Sequence, residues 1–461
     1  MTWARAAAGA AALVLLAGCA VDEAADVRSY RDVLDAGVAG TPEPPAPGKP
    51  LDLATAMRLA NARDERLAIE GEAYVRSLLA RERAATAFLP RVDLSPAYFL
   101  RDSTSGGGTR NGFDLPVDAS IDVAPVADAA SLVRTASSAR QRRALLLALQ
   151  DSVLLDVGRT LFEVERAERR AAVLRASLDV QGVRVDDSKA RLKEGLARSL
   201  DVALSESRAA DARVRLLDAE TAARTGRTLL SFLVGYDVAN VPLDDRLAVP
   251  AAAAPLDELL RVAAASRPEI VAARHDHDAA VAGAREAAGA WWPSISADLS
   301  VFLTRDSEPT DLDWTSFLEV HIPLFTAGRV AIDVRDALSR VRAARHAVSE
   351  NVRGVRRDVE TARERFEAEG RRIEALRVQA DAARRSLEQA EALWQTGLAT
   401  NLERLVAQDE LLSTELALTS AELDRRVRHL ELLRTTGALH GVAGLVRPEP
   451  YDERGDRAEA R

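Results

Sequence analysis

Two hydrophobic periods run along the chain. In residues 294–303, Ile295, Ala297, Leu299, Val301 and Leu303 oppose Ser294, Ser296, Asp298 and Ser300. In 117–123, Val117, Ala119, Ile121 and Val123 alternate with Asp118, Ser120 and Asp122. Val92, Leu94, Tyr98 and Leu100 oppose Arg91, Asp93 and Ser95, and Leu318, Val320 and Ile322 oppose Glu319 and His321. Successive side chains leave a strand on opposite sides, so period two with one apolar face predicts four β-strands. Pro96 interrupts the first, since proline donates nothing to a ladder.

The second period is seven. Val341, Val348, Val355, Ala362, Leu376, Ala383 and Ala390 fall on one series, broken at Glu369. Val352, Val359, Phe366, Ile373, Ala380, Leu387 and Trp394 fall on its companion. Val157, Val164, Ala171, Leu178, Val185 and Leu192 do the same earlier in the chain. Paired seams of this kind predict long supercoiled helices, over about 129–193 and 329–395, with no proline inside. A helix of about 65 residues reaches roughly 100 Å.

The chain repeats at an offset of about 203 residues. Pro90 falls on Pro293 and Phe99 on Phe302; "EGLARSLDVAL" from Glu194 matches "TGLATNLERLV" from Thr396. Each copy reads as a helix of about 35 residues (51–88 or 255–292), two strands joined by a polar loop, the long helix, a Gly-Leu turn and a last helix. The loops, 101–114 and 304–313, carry no period and read as unstructured.

Composition narrows the setting. Aromatic residues are 4% of the chain, and Ala, Val and Leu supply most of its apolar content, which suits packed helices better than a thick core. The formal charge of −9, in mixed sign along the chain, argues against a nucleic-acid partner. Residues 6–16 form an apolar run too short to span a bilayer, closed by Leu16-Ala17-Gly18-Cys19. Such a box resembles a bacterial lipoprotein processing site and implies a lipid on Cys19, the only cysteine; Ala20 after it favours outer-membrane sorting by the same resemblance. The Pro- and Gly-rich run over 37–50 reads as an extended tether.

These signals give a map. Residues 1–18 are a signal peptide and 19–50 a lipid-anchored segment with its tether. The first repeat covers 51–235, with strands about 91–100 and 117–125, and 236–254 connect it to the second. That repeat covers 255–439, with strands about 294–304 and 314–323, and 440–461 form a flexible tail. The expected fold class is mainly α with a small β part, a duplicated helix–hairpin–long helix–helix unit.

Nothing left in the sequence would cover the apolar face of the strands. Their lengths, about 8–11 residues, suit tilted strands across a bilayer. Four strands cannot close a barrel, and an open edge in lipid is prohibitive. Closure therefore requires several copies of the chain, with eight strands as the practical minimum.

The internal duplication, the prolines at 90 and 293, "IPLFTAGRV" over 322–330 and the turns at Gly195 and Gly397 together resemble the TolC-like outer-membrane efflux proteins, in their lipoprotein branch. The likeness runs from about Leu51 to Leu439; the first copy departs at "VAPVADAASLV", which lacks the Leu-Phe and Gly-Arg pairs. It implies a homotrimer, a 12-stranded transmembrane barrel and a long periplasmic α-barrel. It further implies a periplasmic adaptor, or membrane fusion protein, and an inner-membrane pump as partners, with 236–254 as the equatorial connector. The implied function is the passive outer-membrane duct of a tripartite efflux or export system. The alternatives are a type I protein secretion duct and, less favoured, a lipid-anchored periplasmic coiled coil. An enzyme is not expected, since no catalytic constellation emerges, nor a cofactor beyond the covalent lipid on Cys19.

Candidate sites follow from the same reading. Gly195, Leu196, Gly397 and Leu398 mark the helix turns where relatives meet their adaptor; glycine also simply permits the turn. Glu403 and Asp201 are candidates for a ring at the periplasmic constriction, where acids select cations. Thr400 to Glu403 also reads as a capping box, and the two roles can coexist. Val406 stands where some relatives carry a second acid. Asp93, Asp118, Asp122, Asp298 and Glu319 make the polar strand faces acidic, predicting an acidic lumen with mild cation preference. Phe88, Trp291, Trp292 and Trp314 are placed at the membrane interface, where amphipathic rings gather; packing beneath the barrel is the other reading for one of the two adjacent tryptophans. His275 and His277 invite a metal, but residues two apart on a helix point to different faces, so no metal site is expected.

Overall fold

The computed structural model describes residues 22–447, except 38, 39, 41, 47, 104–107, 245 and 308–310, and except the side chains of 101–110. Cys19 and the tail beyond Arg447 lie outside the described residues.

The elements in order are α1 (Glu23–Leu34), β1 (Leu51–Asp52), α2 (Leu53–Arg63), α3 (Glu65–Ala85), β2 (Arg91–Leu94), β3 (Ala97–Ser103), β4 (Gly108–Asp114), β5 (Pro116–Val123), α4 (Pro125–Lys193) and α5 (Ser199–Val234). Then come β6 (Leu243–Asp244), α6 (Leu256–Ser266), α7 (Pro268–Gly289), β7 (Ser294–Phe302), β8 (Trp314–His321), α8 (Arg329–Gln395) and α9 (Asn401–Thr435). Among the described residues no helix is long and apolar enough to cross a membrane.

The chain divides into two compact units. Of the described residues, one unit holds 22–34, Ala68–Leu146 and His275–Ala344; the other holds Asp35–Leu67, Leu147–Arg274 and 345–447.

The first unit carries the sheet. β2, β5, β7 and β8 pair in that order, all antiparallel, so β2 and β8 are its edges. The two expected hairpins are thereby joined through β5 and β7 into one surface. The loop over 101–114 is not unstructured: Ala97–Ser103 pairs with Gly108–Asp114 as a second ladder. Its glycines and charges hide a strand from any periodicity, and the backbone pairing decides. At Gly112 a side chain would strike the Phe99 ring and Asp306, so the close approach requires glycine.

In the second unit many of the seam positions pack as the heptads predict, while Leu192 and Val352 are exposed. Val157, Val164 and Ala171 of α4 are buried, as are Val355, Val359, Ala362, Phe366, Ile373, Ala380 and Ala383 of α8. Each expected 35-residue helix is instead two. Asp64 ends α2 with extended backbone, and its carboxylate accepts the backbone N–H groups of Arg66 (2.8 Å) and Leu67 (3.3 Å), starting α3. Pro268 forces Arg267 out of helical geometry and so separates α6 from α7. Leu51 and Asp52 pair in parallel with Leu243 and Asp244 rather than opening a helix.

Two further elements carried no period long enough to read. α1 lies within the expected lipid-anchored segment, ahead of its tether, with Tyr30 and Leu34 buried and the Tyr30 ring against Gly71. Beyond α9 the chain turns through Leu439–Ala443, and Val446 donates to the Ala36 carbonyl (2.8 Å), so this part of the tail is held.

Candidate functional site: a two-faced sheet and paired helix turns

The register of the four-stranded sheet sorts its side chains. Asp93 pairs with Asp118 and Asp118 with Ser300; Ser120 pairs with Asp298, Asp122 with Ser296, and Ser296 with Glu319. All five acids named from the sequence therefore share one face. Ser300 Oγ donates to Asp118 (2.6 Å), and Arg91 lies 4.0 Å from Asp122. The opposite face carries Leu94, Val117, Val301 and Trp314 in one row, and Ile121, Ala297 and Leu318 in another.

That apolar face is open. Leu318 is 75% exposed and Trp314 62%, with Val92, Leu94, Ile295 and Val320 also exposed. Beyond β8, Leu324 and Phe325 are 94% and 87% exposed. Contiguous apolar surface of this extent marks an interaction face. Trp291 and Trp292 close the turn after α7, their backbone N–H groups donating to Ala288 and Gly289, and both are at least half exposed. Phe88 is exposed at the matching point of the first copy.

The helix turns are equivalent in the two copies. Gly195 and Gly397 adopt positive φ (74° and 76°), and a Cβ at either would meet nothing, so conformation rather than space calls for glycine. Leu196 N donates to Arg191 O and Leu398 N to Leu393 O (both 2.8 Å), closing the helix ends. Both leucines are largely exposed.

Just past each turn an acid caps the next helix. Glu403 Oε2 accepts from the Thr400 backbone N–H (2.6 Å) and hydroxyl (2.9 Å), and Glu403 N donates to Thr400 Oγ1 (3.3 Å). These bonds to its charged form hold the Glu403 carboxyl below its ordinary range. Asp201 accepts from the Arg198 backbone N–H (3.0 Å) in the same way. Both acids stand at the helix turns, and each carries out the capping role.

Contacts between the two copies at this level were not legible in the sequence. Arg184 of α4, largely buried, pairs with Glu391 of α8 (3.0 Å), and Arg208 of α5 with Asp409 of α9. Arg191 of the first copy lies over the Trp394 ring of the second at 4.2 Å, and Arg404, of the same copy as Trp394, lies over that ring at 3.7 Å. Burial pushes both Arg184 and Arg404 down from the usual guanidinium range. Sequence offsets near 203 flag equivalent positions, but not which side chains from the two copies meet.

His275 is buried and His277 a third exposed; both approach Asp278, at 3.9 and 3.8 Å. No group of residues fit to hold a metal ion occurs among the described residues.

Comparison with known proteins agrees with this architecture. Residues 259–438 match the family model described as outer membrane efflux protein. Over 286 residues the chain is 27% identical to the outer membrane efflux protein BepC of Brucella suis, covering 60% of this chain and 61% of that one. It thus spans less than two thirds of that relative's length. Over 364 residues it is 22% identical to the outer membrane protein TolC of Vibrio cholerae, covering 77% and 83%. The solved structure of the outer membrane protein VceC, also from Vibrio cholerae, superposes with a TM-score of 0.75 at 19% identity, covering 84% of this chain and 96% of that one.

Proposed function

We propose that this chain, TolC-like and similar to the outer membrane efflux proteins, is the outer-membrane duct of a tripartite efflux system. The observation that carries the reading is the sheet: four strands with two unpartnered edges, one acidic face and one exposed apolar face. In water both edges and the apolar face are liabilities. In a bilayer the apolar face is at home, and the edges require pairing with other copies. Three copies joined β8 to β2 give the 12-stranded barrel that the family resemblance implies, with Asp93, Asp118, Asp122, Asp298 and Glu319 lining its lumen.

On this reading the heptad helices form the periplasmic α-barrel. Trp291, Trp292 and Phe88 sit at its junction with the membrane, with Trp314 at the outer rim. The exposed Leu196 and Leu398 beside Gly195 and Gly397 meet a periplasmic adaptor, which delivers cargo from an inner-membrane pump. Asp201 and Glu403 lie toward the constriction. Cys19 carries a lipid that anchors the chain without spanning the membrane.

The test is the state of the native chain in an outer-membrane fraction. Trimers that need detergent and dissociate on heating support the reading; soluble dimers without detergent overturn it.

A further inference from the structure

The first hairpin does not end where the membrane sheet ends. Leu94 pairs with Val117, and Ala97 pairs with Asp114, three residues on along one strand and three back along the other. The register is therefore continuous across Pro96, with Ser95 N donating to Pro116 O (3.2 Å) at the join. Because the register is kept, so is the sidedness: Tyr98, Leu100, Phe113 and Leu115 stand on the face of Leu94 and Val117. Tyr98 and Leu100 are 64% and 68% exposed, and Phe113 is exposed beside them.

The second hairpin stops lower. Phe302 N donates to Asp313 O just past the Val301–Trp314 pair, and the loop then lies along β4. Leu303 N donates to Leu115 O, and Leu115 N to Thr304 O. Asp306 accepts from Phe113 N (2.8 Å), while Asp114 accepts from Asp306 N (2.9 Å) and Ser307 N (3.0 Å). This reciprocal pair of aspartates holds the projecting hairpin on its β4 edge.

The position of the apolar patch decides its partner. The Tyr98–Phe113 pair lies four residues beyond the row that ends in Trp314, about 13 Å along the strand. With strands tilted about 40°, that is roughly 10 Å above the outer aromatic rim. The headgroup layer of a phospholipid leaflet is only about 5–8 Å deep. We infer that the outward face of the β3–β4 projection, centred on Tyr98, Leu100 and Phe113, is a contact surface for the saccharide layer of an outer-leaflet glycolipid. Its chemistry fits: aromatic faces pack on sugar rings, and Asn111 Nδ2 donating to Tyr98 Oη (2.8 Å) sets amide and phenol side by side for sugar hydroxyls. The inference rests on the membrane reading of the sheet.

The test uses the full chain with a nitroxide on single cysteines at Tyr98→Cys and Leu100→Cys. Leu318→Cys on the apolar face and Asp298→Cys on the polar face serve as references. Each variant is first shown to form the heat-dissociable trimer, then placed in vesicles of phosphatidylcholine alone or with lipopolysaccharide in both leaflets. The expected result is that labels at 98 and 100 collide freely with a water-soluble nickel chelate in phosphatidylcholine and lose most of that collision with lipopolysaccharide. Leu318→Cys should meet oxygen dissolved in lipid in both vesicles, and Asp298→Cys the chelate in both. Unchanged chelate collision at 98 and 100, with Leu318→Cys still in lipid, overturns the glycolipid surface and leaves the barrel standing. Chelate reaching Leu318→Cys as well overturns both.

Discussion

Arg447 reaches the carboxylate of Asp151 across 296 residues of sequence, and both side chains are nearly closed to solvent. Arg447 also donates to the Leu147 carbonyl (3.2 Å), so the segment that follows α9 is clasped to α4 at this residue. Burial wins over the arginine: the Asp151 carboxyl is raised to about 6, with Glu269 adding to burial and Arg447 and Arg434 opposing it. An acid raised above its unfolded value contributes stability that is complete below that value and is lost as pH rises through about 6. The same burial, with Arg447, depresses His440 to about 4, so its contribution has the opposite sign and is lost as pH falls through about 4. Comparing the native chain with Asp151→Asn isolates the first. The native advantage should be greater at pH 5 than at pH 7 by about 1 kcal/mol, read as the difference in melting temperature. An advantage that does not change with pH would show that Asp151 does not titrate there.

Removing the other partner tests the clasp itself. Arg447→Ala leaves a buried carboxylate without its cation, which costs about 3 kcal/mol when it stays ionised. The loss of melting temperature should be larger at pH 7.5 than at pH 5, where Asp151 takes a proton instead. Arg447→Lys should recover only part of the loss: both bonds come from Nη2 of the guanidinium, and the lysine ammonium, on a stem one bond shorter, restores the charge without reaching that position.

Thr400→Ala separates capping from charge at the helix turn. It removes the hydroxyl that bonds Glu403 in both directions and should cost about 1 kcal/mol, while leaving the carboxylate in place. Glu403→Gln keeps a partner for the Thr400 backbone and removes the charge. If Glu403 lines the constriction, only Glu403→Gln lowers cation preference in planar bilayers, whereas Thr400→Ala lowers stability alone. Equal loss of preference in both variants would assign Glu403 to the cap alone.

Features whose cause is local or periodic were legible in the sequence. The strand faces could be read because each residue reports its solvent every second position, and the register brings Asp93, Asp118, Asp122, Asp298 and Glu319 onto one face. The Thr400–Glu403 cap could be read because both partners lie within one turn. The break at Asp64 was hidden because an aspartate that ends one helix and starts the next interrupts neither the apolar spacing nor the length. Pro268 was visible and should have ended α6. The β3–β4 ladder was hidden because pairing of polar, glycine-rich segments is set by the strands beneath them. Arg208 with Asp409, and Arg191 with Trp394, depend on how the two copies pack, which no single-copy pattern encodes.

The apolar face of the sheet predicts a specific intolerance. Leu318 pairs with Ala297, which pairs with Ile121, near the middle of the strands. A charge there stands at the centre of the apolar band, so Leu318→Arg should cost about 2–4 kcal/mol in a bilayer. The same change would be harmless on a water-exposed sheet. Loss of the heat-dissociable trimer in Leu318→Arg, with Ser316→Arg near the rim tolerated better, is the expected outcome. Equal trimer yield from both would count against lipid contact.

The acidic face predicts how the proposed channel would sort ions. Asp93 and Asp118 are directly paired across strands, an arrangement that like charges disfavour unless counter-ions or water fill the space between them. In the proposed trimer, three copies would bring several such pairs around one lumen, and the resulting negative potential would raise the local cation concentration. Asp118→Asn relieves the pair and also removes the acceptor charge for Ser300 Oγ without removing an acceptor. It should therefore fold normally and shift the reversal potential in a salt gradient toward the anion side. Asp118→Asn with Asp298→Asn should shift it further, because the two acids stand on adjacent strands, one residue pair apart along the sheet face. The effect should shrink as salt is raised, since the Debye length falls from about 10 Å at 0.1 M to about 3 Å at 1 M. Clear anion selectivity in the native channel, or no shift in the double variant at low salt, would mean that this face does not line the conducting path.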